Sequence, residues 1–463
     1  MGRLKQKDEL LCQLRDGGMM SRREKLRLVA LLSVPAMLGQ LSSIIMQYID
    51  AMMVGHLGAS ASASIGLVST TTWLFGGLTV SIGAGFSVLV AQRIGAKQND
   101  EARNVLRQAL LVCLVFALSV SAFCVSIHRV LPLWLGGAEE VLKDASNYFL
   151  IWALTVPVMQ MYHLSNSMLR SSGNMKIPML MGVMMCVLDI VFNLIFIPRW
   201  GVTGAALATT LSGACCAFVS LRYLLTRSRE LALRHHSGSY HMQWDIVRQS
   251  LKIGLPMAVE HVVFCGAQIV STLIVAPLGT VAIAANVIGV TVESLCYMPG
   301  YGIGDAATTL VGQSIGAKRR DLVRSFSYLT VAVGVVVMSM LGIVMYLFAP
   351  ELMWMMSSSV EVQEAGIEAL RIEAFAEPMY AASIVAYGVF VGAGDTLKPC
   401  GMNLFSIWFV RIPLAWWMAW EMNMGLNGVW LAMCLELCFR GFIFLIRLWY
   451  KNRERVNEFA RHE

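Results

Sequence analysis

The sequence predicts an all-α integral membrane protein of twelve transmembrane helices, arranged as two parallel repeats of six, and three observations predict it. The first is composition: the 463 residues are 57% hydrophobic and only 14% charged, with a mean hydropathy of +0.64, the balance of a polytopic membrane protein. The second is that apolar stretches of about 20 residues, enough to span a bilayer core as a helix, recur along nearly the whole chain. The third is an internal repeat. Displaced by 221 positions, Val34–Lys97 lies over Leu255–Lys318 without a gap, pairing Pro35 with Pro256, Gly83 with Gly304 and Gln92 with Gln313, while Ile94-Gly95-Ala96-Lys97 recurs unchanged at 315–318. Two copies of one design place the working part of such a protein between them.

The spans fall at 28–54, 62–90, 105–127, 148–169, 177–197 and 202–225, and again at 250–276, 282–311, 326–348, 369–392, 399–420 and 426–449. The first 27 residues are charged and interrupted, unlike a cleavable signal, so the first span serves as its own insertion signal. This gives an N-terminal segment over 1–27, a six-helix lobe over 28–225, a polar linker over 226–249, a second lobe over 250–449 and a tail over 450–463. Lys and Arg crowd the N-terminus, the loops after spans two and eight, the linker and the tail, whereas the alternate loops hold little beyond Arg129, Lys143 and Arg199. The positive-inside rule therefore puts both termini in the cytoplasm. Outer loops such as Gly136–Asn147 and Ser357–Glu368 read as short and acidic, with no room for an external domain. The chain lacks any Asn-x-Ser/Thr acceptor, which agrees with a bacterial inner (cytoplasmic) membrane.

Ionisable side chains inside spans cost about 3 kcal/mol each on insertion scales, so those that persist face a cavity or a partner. In span one, Gln40, Ser43, Gln47 and Asp50 form one polar stripe. In span five, Asp189 and Asn193 lie one turn apart; Asn193, like Asp50, follows a proline (Pro178, Pro35) by 15 residues. Adjacent carboxylates in a partly dry pocket can take up a proton or a sodium ion. The bland alternative is that Asp50 and Asp189 only hydrogen-bond neighbouring helices. The second half carries its acids elsewhere: Glu260 in span seven, and Glu293 with Asn286 in span eight. Either they line a substrate cavity with Gln268, or they make structural hydrogen bonds. Glu436 and Arg440 sit at i, i+4 and neutralise each other, and Arg411 requires a buried partner that spacing does not name. Pro35 and Pro256 break the first helix of each half at matched positions, as hinges or as static kinks.

The eleven cysteines have neither metal spacing nor a paired framework and read as buried small hydrophobes. The linker histidines His235, His236 and His241 read as solvated rather than metal-binding. The net charge of +7 follows from the loop bias, so no nucleic-acid partner is expected. A membrane-embedded enzyme would need a catalytic cluster, and the spans offer only His163 and His261 without metal spacing.

Four motifs carry a resemblance: Pro35-x14-Asp50-x3-Val54-Gly55-x-Leu57-Gly58; Gln92-Arg93-Ile94-Gly95-Ala96; Leu169-Arg170-x-x-Gly173-Asn174-x3-Pro178; and Val311-Gly312-Gln313-x-Ile315-Gly316-Ala317. Together, in order and with twelve spans, they resemble the multidrug and toxic compound extrusion (MATE) family over almost the whole chain. The resemblance implies a V-shaped pair of six-helix bundles that export cationic or amphipathic compounds in exchange for H+ or Na+ by alternating access. Asp50 matches the helix-one aspartate that the DinF-like branch uses for cation coupling, and the pattern is closer to that branch. There helix five carries Asn and then Asp; here the order is inverted, Asp189 then Asn193. The acid that the NorM-like branch carries in helix seven would fall near Phe264, one turn after Glu260.

The expectation is thus a monomeric secondary antiporter that is not an enzyme and needs no cofactor. Its partners are a small cationic or amphipathic substrate, membrane lipid and a coupling ion, H+ or Na+, held at Asp50, Asp189 and Asn193. A flippase for lipid-linked precursors, which usually has extra helices and a cationic cavity, is the alternative.

Overall fold

A computed structural model describes residues 2–234 and 241–457, and these are helical over nearly their whole length with no β-strand. His235 and His236, and the tail beyond 457, lie outside the described residues. A helix α1 (Gly2–Asp16) precedes the spans and buries Leu10, Leu11 and Leu14. The first four spans are α2 (Arg22–Gly55), α3 (Ala59–Gly95), α4 (Asn99–Ile127) and, after a single turn α5 (Leu131–Trp134), α6 (Glu139–Ser171). Spans five and six share α7 (Lys176–Arg227), broken at Gly201, whose φ of 53° and ψ of −128° no helix accommodates. The second half follows with α8 (Trp244–Val275), α9 (Thr280–Gly316) and α10 (Arg320–Met356). Span ten is divided into α11 (Val360–Glu373) and α12 (Glu377–Gly392), bent by 60° at the break. Span eleven runs from α13 (Leu397–Phe405) to α14 (Ile412–Trp416) with π-helical turns at Ser406–Arg411 and Trp417–Glu421, and α15 (Gly425–Asn457) is the twelfth.

The segments that read as outer loops are mostly helix: α6 begins at Glu139 and α11 at Val360. The acidity that suggested solvent is a first-turn signal, since Glu139, Glu140 and Glu361 oppose the positive end of the helix dipole. The linker also has a seat on α4, where Gln108 accepts the Gln243 backbone N–H at 3.0 Å and donates to the His241 carbonyl at 2.9 Å.

The repeat is expressed in backbone conformation. Gly58 and Gly279 share φ near 109° and 104°, Lys97 and Lys318 share the left-handed values 60° and 55°, and Gly173 and Gly394 share 86° and 74°. The last pair close matching helix ends: Asn174 N–H reaches the Leu169 carbonyl and Asp395 N–H reaches that of Phe390, each across a reversed-φ glycine.

The chain forms two compact units, one of Leu38–His261 and one of Met1–Met37 with Val262–Glu463. Each holds an arm from the other repeat. In the first unit, the start of α8 lies so close to α3 that a Cβ on Gly85 would fall 2.2 Å from the Ser250 carbonyl oxygen, and one on Gly254 would fall 2.8 Å from that of Ser81. In the second, the start of α2 meets α9 the same way, with a Cβ on Gly302 only 2.6 Å from the Met37 backbone nitrogen. Small residues at such crossings let backbones touch, which is how helices associate where solvent supplies no hydrophobic drive.

Gly85→Ala should destabilise the detergent-purified protein by about 1–3 kcal/mol, since the clash is with backbone. Gly401→Ala, which meets nothing within 4 Å, should be neutral or slightly stabilising; thermal unfolding distinguishes them. At the second glycine turn, burial pushes the Asp395 carboxyl up, but Lys451 and Arg447 outweigh it and hold the group below its ordinary value. A depressed carboxylate stabilises above its unfolded pKa and loses that contribution as pH falls through the folded one. Asp395→Asn should therefore lower the melting temperature at neutral pH, with the difference from wild type vanishing in acid.

Candidate ion site

Within the unit Leu38–His261, α2 and both arms of α7 converge on one polar cluster. The break at Gly201 folds α7 into a hairpin, and Asp189 and Ser212, twelve and eleven residues from the break, face each other across it. Asn193 is one turn beyond Asp189 on the same arm. Its amide Nδ2 donates to Asp50 Oδ1 at 2.7 Å and to Asp189 Oδ2 at 2.9 Å. The Ser212 hydroxyl donates to Asp189 Oδ1 at 3.2 Å. The two carboxylates share the one amide nitrogen as donor, so they repel unless a proton or a cation neutralises one of them.

Burial is graded across the cluster. Asp189 is fully buried and Asn193 is 1% exposed, while Asp50 is only half-buried, so the pair has one accessible end and one sealed end. Asn193 Oδ1 is buried without a hydrogen-bond partner among the described residues. Two carboxylates, an unused amide oxygen and a hydroxyl make a hard oxygen donor set, suited to H+ or Na+ and not to soft metals. Tyr148, on α6, lies within electrostatic range of both aspartates.

The other residues singled out from the sequence are distributed as follows. Ser43 bonds back to the Gly39 carbonyl at 3.2 Å, Gln40 is half-buried and Gln47 exposed, and Asp50 bonds into the cluster. Glu260 is half-buried in the same unit. Gln268, Asn286 and Glu293 belong to the other unit: Gln268 is exposed, Asn286 accepts a bond from Trp430 Nε1 at 3.0 Å, and Glu293 is 4% exposed. The partner Arg411 requires is Glu436, bound through Nε at 2.9 Å and Nη2 at 2.7 Å. Glu436 also pairs with Arg440 at 3.0 Å and accepts from the Ser406 hydroxyl. Sequence reading missed Ser212 and Tyr148, because one hydroxyl among many in the spans carries no signal until the Gly201 break sets its level.

The fold is that of a polytopic helical membrane protein, with a buried acid–amide cluster in one of its two units. Both halves match the MatE family model, over residues 35–195 and 256–417, and the chain belongs to the MatE family. It is 27% identical to a probable multidrug resistance protein NorM of Thermotoga maritima, covering 92% of this chain and 94% of that one. It is 25% identical to the probable multidrug resistance protein YoeA of Bacillus subtilis, covering 88% and 89%. The fold superposes on an outward-facing multidrug resistance MATE family transporter of the MOP superfamily with a TM-score of 0.87 at 21% identity, covering 93% of this chain and 96% of that one. On the Vibrio cholerae MATE transporter VcmN the TM-score is 0.85 at 18% identity, covering 97% and 98%.

Removing the bridging amide leaves two carboxylates opposed with no donor between them. Asn193→Ala should cost about 1–3 kcal/mol of stability, and Ser212→Ala, which removes a neutral bond at one end, nearer 1 kcal/mol; thermal unfolding of the purified variants measures both.

Proposed function

We propose that the protein is a secondary active antiporter that exports cationic or amphipathic drugs and toxic compounds in exchange for H+ or Na+, by alternating access. The observation that carries this reading is the graded carboxylate pair, in which half-buried Asp50 is tied through Asn193 to fully buried Asp189. A transporter that couples two cations needs a negative charge that either can neutralise but not both together. Asp50 has the access to receive an ion, and Asp189 with Ser212 has the burial to hold it.

In the outward-open state the ion enters at Asp50 and is shared with Asp189 and Asn193. Neutralising the pair weakens the attraction for a bound cationic substrate, which leaves to the outside. Helix α2 then bends near Pro35, with Pro256 the equivalent point on α8. Each proline removes one backbone donor from its helix, and each lies within two turns of the place where its helix passes from one compact unit to the other. Of the residues assigned to substrate contact in this reading, Gln40, Gln47 and Glu260 belong to the unit of the ion site and Gln268, Asn286 and Glu293 to the other. Asp50 supports a tie to the DinF-like branch, and the loop charges support a bacterial inner membrane with both termini in the cytoplasm. The names of the relatives support multidrug substrates. A single chain carrying both repeats can complete this cycle as a monomer, with its lobes spanning 28–225 and 250–449.

Ethidium efflux from proteoliposomes, driven separately by an imposed pH gradient and an imposed Na+ gradient, tests the proposal. One gradient should drive efflux in wild type, naming the coupling ion, and Asp50→Asn should reduce it to the undriven rate while folding normally. Full gradient-driven efflux by Asp50→Asn would sink the mechanism.

A further inference from the structure

The export cycle bends α2 near Pro35 and gives no role to the residues ahead of it, yet those residues form a built corner. Helix α1 carries Leu10, Leu11 and Leu14 at i, i+1 and i+4 and buries all three, Leu14 completely, while Asp8, Glu9 and Asp16 stay exposed. Gly17, at a φ of 86°, ends the helix; the Gly18 N–H closes on the Gln13 carbonyl at 3.1 Å, and Gln13 Nε2 donates to the Met19 carbonyl at 2.7 Å. Ser21 and Glu24 then start α2 with a reciprocal capping box. The Glu24 carboxylate accepts the Ser21 N–H at 2.7 Å, and the Ser21 hydroxyl accepts the Glu24 N–H at 3.3 Å.

This corner is seated on α9 and α10, within the unit Met1–Met37 with Val262–Glu463. Arg15 Nε donates to the Gln313 amide oxygen at 3.1 Å. Arg319 is gripped by Asp321 through Nε at 3.0 Å and Nη2 at 2.9 Å, and its Nη1 donates to the Gly18 carbonyl at 3.1 Å. Lys25 Nζ donates to the Ser325 hydroxyl at 3.0 Å. The duplicated turn shows what is special here. Under the displacement of 221 positions, Gln313 and Arg319 correspond to Gln92 and Gln98. Gln313 is fully buried and Gln92 only half-buried; Arg319 holds Gly18, whereas Gln98 is exposed and bonded by Arg93 of the preceding helix. One turn occurs twice, and only its second copy carries this seat.

The other exchanged arm is tied at the matched place. Ser325 corresponds to Asn104, and Asn104 Nδ2 donates at 2.8 Å to Gln243, which immediately precedes α8. The first helix of each repeat is therefore fastened, just ahead of its span, to the third span of the other repeat. The two fastenings differ in chemistry. That of α8 uses the amides of Asn104 and Gln108, whereas that of α2 combines three buried leucines with three cationic donors, each on a neutral oxygen. Bonds of that kind exchange with water at small net cost, and apolar burial supplies the rest of the hold. The seat can thus be left and retaken without orphaning a charge, since Arg319 keeps Asp321 throughout.

We propose that α1 and the corner after it are a strap that controls the movement of α2: seated, they hold the arm 22–37 on α9 and α10, and the arm moves about Pro35 only when they leave that seat. The consequence for export rests on the antiport reading above; the hold on the arm does not.

Amide hydrogen exchange of the full-length protein in lipid nanodiscs, read by mass spectrometry, tests the hold. L11D together with L14D sets charges on the buried face of α1. Peptides covering 22–30 should then exchange at least about tenfold faster than in wild type, while peptides of α4 keep wild-type protection and so report an intact fold. Unchanged exchange over 22–30 would overturn the strap. A reversible lock tests the release: in a cysteine-free background, R15C and Q313C are joined by a short bis-methanethiosulfonate linker. Gradient-driven ethidium efflux from proteoliposomes should fall to the undriven rate when the linker is in place and return when reductant cleaves it. Undiminished efflux from linked protein would overturn the need for release. Absence of driven efflux from wild-type protein would instead count against the antiport reading, and the exchange measurement would still decide the strap.

Discussion

A carboxylate inside a bilayer core must be neutralised by a donor, a counter-charge or a cation, because neither lipid nor water is there to do it. Much of this structure answers that demand. At Asp189 the answer is a pair of neutral donors, Asn193 and Ser212, with the amide shared onward to Asp50. At Glu436 it is two guanidiniums and a hydroxyl, which together give the carboxylate both counter-charge and donors. The two solutions differ in what they permit. Neutral donors leave the charge free to accept a passing cation; a pair of arginines does not.

The same constraint explains why the breaks in the helices fall where the polar groups are. Gly201 turns α7 back on itself and brings Ser212 level with Asp189, and the break between α11 and α12 sits between Glu373 and Glu377. A helix interruption at membrane depth exposes backbone groups, and such groups survive only where protein surrounds them. Here each break sets polar side chains at a fixed level inside one compact unit. The exchanged arms add to this: Gly85 and Gly254 let α8 touch α3, and Gly302 lets α2 touch α9, so the first helix of each repeat is held at its start by the second helix of the other repeat.

Much of this was legible in the sequence, for a physical reason. The duplicated turns depend on local chemistry, with glycine at positive φ and a basic residue after Ile-Gly-Ala, so an overlay of residues became an overlay of conformations at Gly58 and Gly279, Lys97 and Lys318, Gly173 and Gly394. Asp50, Asp189 and Asn193 stood out because an acid in an apolar span is costly wherever the span lies. What stayed hidden was pairing. Nothing in the chain announces that Arg411 belongs to Glu436, 25 residues away on another helix, or that Ser212 faces Asp189. The exchange of arms was equally hidden, since a six-span repeat reads as one body until its close glycine contacts are seen. The acidic starts of α6 and α11 misled for another reason: the residues that favour a helix N-terminus are also those that favour water.

Duplication followed by divergence gives the two halves unequal electrostatics. The overlay sets Asp50 against Ser271, whose hydroxyl merely returns to the Ala267 carbonyl of its own helix, and Glu293 against Thr72, which bonds back to Ser69. At these two positions the repeat that lacks the acid carries a hydroxyl satisfied within its own helix, whereas Asp189 is matched by Val410 and Glu260 by Gly39. A hydroxyl that bonds its own helix needs no partner, so either acid could be lost from one copy without leaving an orphan charge. The converse step is expensive, because a new acid requires donors already in place. In the structure as it stands, the acids lie where a local break or a second polar helix surrounds them: Asp189 faces Ser212 across the Gly201 break, and Glu436 is met by Arg411 and Arg440.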